Sequence, residues 1–293
     1  MVCMAIRNGC MALPRRGVSC PCEQEIDGHY DGLELCLMNR FVVDAWDGLS
    51  DAEIAAKDEL LACIFRDYGV KMAVTGCIAD DLMAHAEDTA LGFAYREMLS
   101  VPMNDSLIGE ATREFVGRLM LTDFFYAPAS TRFHLCADGG LSLHSLSVAY
   151  RCVGMVRDDA AARAELGEHW EAIAIVCGMF HDVCKVGYYV PADNAWNGAR
   201  YAVDEMCKGN YEHGELSVSI LRRQYGDLLP QRAYDAVDWH MGEYDHRCNP
   251  ARWEQVDPGE QSSAIATRER LMMESAFVRI LHEADMASTQ AGL

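Results

Sequence analysis

The sequence predicts an all-α protein, and three observations carry that prediction. From Asp51 onward, apolar residues recur at helical spacing, i, i+3, i+4 and i+7. The run from Ala172 to Phe180 is apolar on every face, which is the pattern of a helix buried on all sides. At 293 residues and 51% apolar composition, the chain is long enough to bury a core without disulfide staples, which excludes fibrous, collagen-like and disordered classes.

Taken in order, Met1 to about Gly48 reads as irregular, with Pro14, Pro21, several glycines and five cysteines. The segment from Asp51 to Phe65 opens with an acidic first turn and separates apolar from charged faces as a helix does. A second helix is expected from about Lys71 to Leu99. Pro102 and Asn104 then break the pattern, so a domain boundary is expected near 100–107. It separates an N-terminal region of no assigned role (1–105) from a second domain (106–293). Further helices are expected over 107–122, 142–157, 161–185, 213–225, 231–241 and 262–289. Between them, residues 186–212 form a polar connection, and a connection that long in a helical domain is usually functional.

Charge narrows the partners. The 25 Lys and Arg against 45 Asp and Glu give a formal net charge of −20, which repels phosphate backbones and anionic membranes. Residues 1–110 hold 8 basic and 19 acidic side chains, so the acidity is concentrated in the N-terminal third. No stretch reaches the roughly 18 apolar residues that a membrane helix needs, and no secretory signal pattern is present. A cytoplasmic location is therefore expected. The thirteen cysteines are odd in number and scattered, and Cys63, Cys152 and Cys177 fall in helical segments, as reduced core thiols do. Cys20-Pro-Cys22, with Cys3, Cys10, His29 and Cys36 nearby, lacks the paired C-x₂₋₄-C spacing of structural zinc sites.

The sharpest signal is a set of metal-ligand side chains placed where periodicity expects core. His144 shares a stripe with Leu141, Val148 and Cys152. His181-Asp182 ends the apolar run abruptly, with Lys185 one turn on. His240 continues the stripe Ala233, Ala236, Val237; Asp285 that of Phe277, Val278, Leu281 and Ala284; His213 shares a face with Leu216 and Ile220. A buried carboxylate must be paired, protonated or bound to metal. One buried histidine alone is ordinarily a hydrogen-bonded core residue, but five segments repeat the pattern. Imidazoles and carboxylates without thiolates suit Mn, Fe, Co, Ni, Zn or Mg. Six such ligands exceed the need of one open catalytic ion, whereas a two-metal site with a bridging Asp uses them all.

These residues resemble the H…HD…D signature of the HD-domain metal-dependent phosphohydrolases: His144, the pair His181-Asp182, and Asp285. The context extends the likeness. Gly139-Gly-Leu-Ser-Leu-His144-Ser-Leu-Ser-Val148 is similar to the family's GGL-x-x-H-x-x-x-V helix, and His181-Asp-Val-Cys-Lys185 to its HD-x-x-K. Tyr211-Glu-His213, Trp239-His240-Met-Gly242 and Ala284-Asp285 resemble the segments of members that bind two metals. The stretch Asp123 to His134 resembles the lead-in of small HD proteins that are similar to the HD half of a 3′-to-5′ exoribonuclease. Cys184 stands where relatives more often carry Gly, and residues 1–105 fall outside the resemblance.

The resemblance implies an HD-domain helical bundle over about 115–290 holding two divalent metal ions. His144, His181, Asp182 and Asp285 would be core ligands, and His213 and His240 ligands of the second ion. It implies a phosphohydrolase in which Asp182 bridges the metals and Lys185 contacts a phosphate or the bridging water. Arg132 and His134, just before the first ligand helix, are expected at the pocket mouth. Tyr188, Tyr189, Trp196 and Tyr201 are expected to stack a base or anchor the long loop. Bound metals with Lys185, Arg200 and Lys208 invert the field locally, so a nucleotide or other small phosphoester is the expected substrate. A long nucleic acid needs a basic track that is not visible. The alternatives are a 3′-to-5′ exonuclease on short RNA or DNA, a di-iron oxygenase of the same fold, and a non-catalytic nucleotide-binding module.

Overall fold

The computed structural model describes residues 49–68, 86–192, 200–207, 213–249 and 257–293. Ten helices are found among them: α1 (Asp51–Tyr68), α2 (Ala86–Met103), α3 (Gly109–Leu119), α4 (Gly140–Asp158), α5 (Ala160–Leu166), α6 (Trp170–Phe180), α7 (His213–Tyr225), α8 (Gln231–Asp238), α9 (Pro258–Glu274) and α10 (Ala276–Gln290). The cysteine-rich stretch 1–48, residues 71–85 of the expected second helix, Trp196, Lys208 and Tyr211 lie outside the described residues.

Helix α6 is the centre of the bundle because its sequence leaves it no polar face: every residue from Ala172 to Phe180 is buried. It packs against α4, α2, α8 and α10, and its closest neighbour is α4. Gly178 permits that approach, since a β-carbon there would stand 2.6 Å from Ala149 Cα. α4 is likewise buried along its first half, from Gly140 to Ala149. Phe115 stands edge-to-face with Phe180 and Tyr225, and Phe124 packs at a tilt on Phe180, filling the space towards α3 and α7.

The N-terminal helices belong to this same core. Leu60, Leu61 and Ile64 of α1, and Leu91, Tyr95, Met98 and Leu99 of α2, lie in one hydrophobic cluster with α4 and α6. The expected break at Pro102 and Asn104 is a turn between α2 and α3. Its free backbone groups are met by side chains: Arg113 Nε donates to Met103 O, and Asp105 Oδ1 accepts from the N–H groups of Leu107 and Ile108.

Two long helices expected from the sequence are each divided. The 161–185 segment breaks after Leu166, where Gly167 adopts φ +78°, and α6 ends at Phe180, followed by a short 3₁₀ turn over Val183–Lys185. The 262–289 segment breaks at Ser275, in extended conformation (φ −116°, ψ 122°). Ser275 caps α10 through Val278 N, and Glu165 accepts from Ala276 N and Phe277 N, so the interruption leaves no orphaned donors. The polar connection 186–212 contains a small antiparallel pair, β1 (Tyr189–Pro191) and β2 (Tyr201–Val203), with Tyr189 opposite Val203 and Pro191 opposite Tyr201. The seven cysteines among the described residues are free thiols. Cys152 and Cys177 are buried, as expected, whereas Cys63 is half-buried.

Candidate metal centre

The ends of the buried helices deliver the site. His144 lies one turn into α4 on its buried stripe. His181 and Asp182 directly follow α6, His240 stands two residues beyond α8, and Asp285 lies on the buried face of α10. All five side chains are buried.

Each imidazole is oriented by a main-chain carbonyl. His181 Nδ1 donates to Gly178 O (2.8 Å) and His240 Nδ1 to Val237 O (2.7 Å). Both carbonyls belong to the last turn of a helix, where no intrahelical donor reaches them. His144 Nδ1 donates to Leu293 O (3.0 Å), which also accepts from Ser288 Oγ (2.9 Å). A carbonyl oxygen only accepts, so each ring carries a proton on Nδ1 and turns Nε2 towards the common cavity.

Around that cavity, His144 Nε2 lies 3.1 Å from Asp285 Oδ1, His181 Nε2 lies 3.5 Å from Asp182 Oδ2, and His240 Nε2 lies 3.6 Å from Asp182 Oδ1. Two sets of potential ligand atoms fall within 4.8 Å of one another: His144, His181, Asp285 and His181, Asp182, His240, with His181 common to both. His181 Nε2, His240 Nε2 and Asp182 Oδ1 are buried without a hydrogen-bond partner. Converging ring nitrogens and two carboxylates, shielded from water, need protons or metal cations among them. The donor set therefore fits a divalent metal with N and O preference, and thiolates are not required.

Lys185 supplies one cation from the protein itself. Its Nζ lies 2.6 Å from Asp182 Oδ2 and donates to Ala129 O (3.0 Å). Burial would raise Asp182, but the Lys185 ammonium and the neighbouring imidazoles hold it well below the usual carboxylate range. Burial disfavours the cationic form of Lys185, yet Asp182 keeps it raised. Asp285 is also held low against its burial, through His144 and the other two imidazoles. Burial lowers His181, whereas Asp182 overcomes burial at His240 and raises it.

The remaining expected residues separate by position. His134 packs beside His144, ring centroids 5.0 Å apart, with a buried, unbonded Nε2. Burial and the nearby His144 and Lys185 lower it to about 3, so it is neutral. Tyr189 donates to Ala129 O at 3.4 Å, and Tyr201 OH bonds Asp138, so the hairpin grips the loop that carries His134. Tyr188 is buried against Tyr189 and His213. Arg132 is exposed, with its guanidinium 5.6 Å from the Phe133 ring centroid, and the structure does not bring it to the ligand atoms.

His213 also stands apart from the two ligand groups. The buried stripe of α7 is Gly214, Ser217, Leu221 and Tyr225, one residue on from the face expected from Leu216 and Ile220. Gly214 sets that rotation, since a β-carbon there would stand 2.0 Å from Asp238 O. His213 consequently lies on the shoulder of the helix with Nδ1 3.5 Å from Cys184 Sγ. Burial and Lys185 lower its affinity for a proton to about 4. Arg247 braces this corner by stacking on Trp239 (3.8 Å to the ring centroid) and bonding both Asp245 and Asp238.

Sequence reasoning missed the groups that support the ligands. Gly178 and Val237 were legible in principle, since a histidine just past a helix end finds free carbonyls three residues back. Ser288 and Leu293 gave no local signal.

The all-helical bundle thus gathers histidines and aspartates from four helices and their C-terminal ends into a buried cradle that could hold a metal ion. The family model for the HD domain matches residues 141–289, more than half of the chain, and the protein belongs to that family, whose members are generally metal-dependent hydrolases. No curated protein and no solved structure matches the chain.

Proposed function

We propose that the protein hydrolyses a nucleotide or another small phosphoester at a centre of two divalent ions, held by His144, His181, Asp182, His240 and Asp285, with Asp182 shared and His213 turned in as a further ligand of the second ion. The observation that carries this reading is the convergence of unpartnered buried acceptors beside one fixed ammonium, Lys185. When bound, such ions acidify a water and neutralise phosphate oxygens.

The protein's own groups do the rest. The ammonium of Lys185 has three donors; two are engaged by Asp182 and Ala129, which leaves one for a phosphate oxygen. His134, neutral and unbonded at Nε2, offers a hydrogen bond to a phosphate or leaving-group oxygen. Tyr189 and Tyr201, on one face of the hairpin, border the same loop and provide a surface for a base. Exposed Arg132 is available to a more distant phosphate. The net charge of −20 disfavours a long polyanion but not a small phosphorylated molecule. Among the described residues, no helix is long and apolar enough to cross a membrane.

The test is turnover of a panel of nucleotides, cyclic nucleotides and short oligonucleotides with Mn²⁺. Release of phosphate or a nucleoside product is expected, with loss of turnover in Asp182→Ala. No turnover with Mn, Fe, Ni, Co or Mg would overturn the proposal. Hydrolysis should persist without dioxygen, and a strict oxygen requirement would point to an oxygenase instead.

A further inference from the structure

Glu53 lies on α1, in the part of the chain outside the matched family region, and its two carboxylate oxygens have different partners. Oε2 accepts from Ser50 N (2.7 Å) and Ser50 Oγ (2.8 Å), closing a reciprocal cap with Ser50 Oγ accepting from Glu53 N (3.3 Å). Oε1 reaches 82 residues along the chain and accepts from Leu135 N at 2.7 Å.

Leu135 is the one non-glycine residue with positive φ (+47°) among the described residues. This conformation carries a steric cost for an L-residue, so the surroundings must hold it. Its carbonyl accepts from Ala129 N (3.1 Å) and presses on Gly140, where a β-carbon would stand 2.1 Å away. The Ser130 hydroxyl closes the loop inside, donating to His134 O and accepting from Phe133 N. The left-handed turn aims the Leu135 carbonyl inward and its N–H outward to Glu53. His134, the preceding residue, is thereby set against His144.

We propose that Glu53 is a positioning residue for the active site: its carboxylate fixes the strained turn at Leu135, and through it the placement of His134 for substrate. The proposal rests on the reading of His134 as a substrate contact. It gives α1 a task in the hydrolase unit beyond packing. The five buried ligands are oriented by other carbonyls and carboxylates, so Glu53 acts on substrate placement and not on metal retention.

Three variants separate the effects. Ser50→Ala removes the cap hydroxyl but leaves Oε1 on Leu135; Glu53→Ala removes both; Glu53→Gln restores an acceptor for Leu135. Amide hydrogen exchange of the segment 129–139 should quicken at least tenfold in Glu53→Ala, remain at the wild-type rate in Ser50→Ala, and return towards that rate in Glu53→Gln. Mn²⁺ affinity, measured with the metal alone, should change less than twofold. With an active phosphoester, Glu53→Ala should raise KM at least tenfold with a smaller change in kcat, and Gln should rescue it. Unchanged exchange of 129–139 in Glu53→Ala, or equal quickening in Ser50→Ala, would overturn the proposal. Absence of Mn²⁺ binding and turnover in the wild type would overturn the hydrolase reading and with it the substrate role of Glu53, whereas the exchange result still shows by itself whether Glu53 holds the turn.

Discussion

His144 Nε2 and Asp285 Oδ1 approach to 3.1 Å, although the His144 proton is committed to Leu293 O through Nδ1. A pair this close needs a proton or a metal ion between its two atoms. Asp285→Asn should therefore be felt in both forms. The metal-free variant should melt lower than wild type, since the carboxylate that the imidazoles hold low against its burial is lost. The stabilisation on adding Mn²⁺, about 2.7 kcal/mol at a hundredfold excess over Kd and read as a rise in Tm, should be reduced or lost. Thermal melts with and without Mn²⁺ check both.

The support behind His144 is testable separately. Ser288 Oγ donates to the carbonyl that orients the ring. Ser288→Ala should weaken metal affinity by about 10-fold, the lower range for loss of such an outer partner, while the helical circular dichroism is retained. Isothermal titration with Mn²⁺ gives the number.

Gly178 sits where α6 meets α4. Gly178→Ala places a β-carbon 2.6 Å from Ala149 Cα, a backbone atom that cannot rotate away. A loss of about 1–3 kcal/mol is expected for this overpacking, read as a lower denaturant midpoint at unchanged slope.

Away from the centre, His169 Nδ1 and Asp105 Oδ2 lie 2.8 Å apart and tie the α2–α3 turn to the start of α6. Hydrogen bonding to Asp105 raises His169 above its ordinary 6.5. Asp105 is held below 3.8 despite its partial burial, by His169 and the backbone N–H groups of Ile108 and Leu107. The His169 contribution is complete below pH 6.5 and disappears as pH rises through its elevated folded value; that of Asp105 is complete above pH 3.8 and disappears as pH falls through its lowered one. The pair thus stabilises most between about pH 4 and 6.5. An NMR titration should find His169 above 6.5, and Asp105→Asn should bring it down.

Much of this was legible because buried helices make a polar residue conspicuous. Ala172–Phe180 has no polar face, so His181 and Asp182 announce a buried address; His144, His240 and Asp285 each extend an apolar stripe. His213, Leu216 and Ile220 do share a face, but that face is half-buried; the buried stripe is the one that holds Gly214 against Asp238 O, a contact that hydropathy does not show. The breaks at Gly167 and Ser275 each rest on a single residue, one at positive φ and one in extended conformation capping the helix that follows. Glu53 and Leu293 act across 82 and 149 residues, which only the folded chain relates.

The central claim, that the buried histidines and aspartates are a metal centre, is tested most directly by equilibrium Mn²⁺ titration of the metal-stripped protein beside its Asp182→Ala variant. About two ions per chain are expected for the wild type, and at least one fewer for the variant. Equal binding by the two proteins, or none by the wild type, would contradict it.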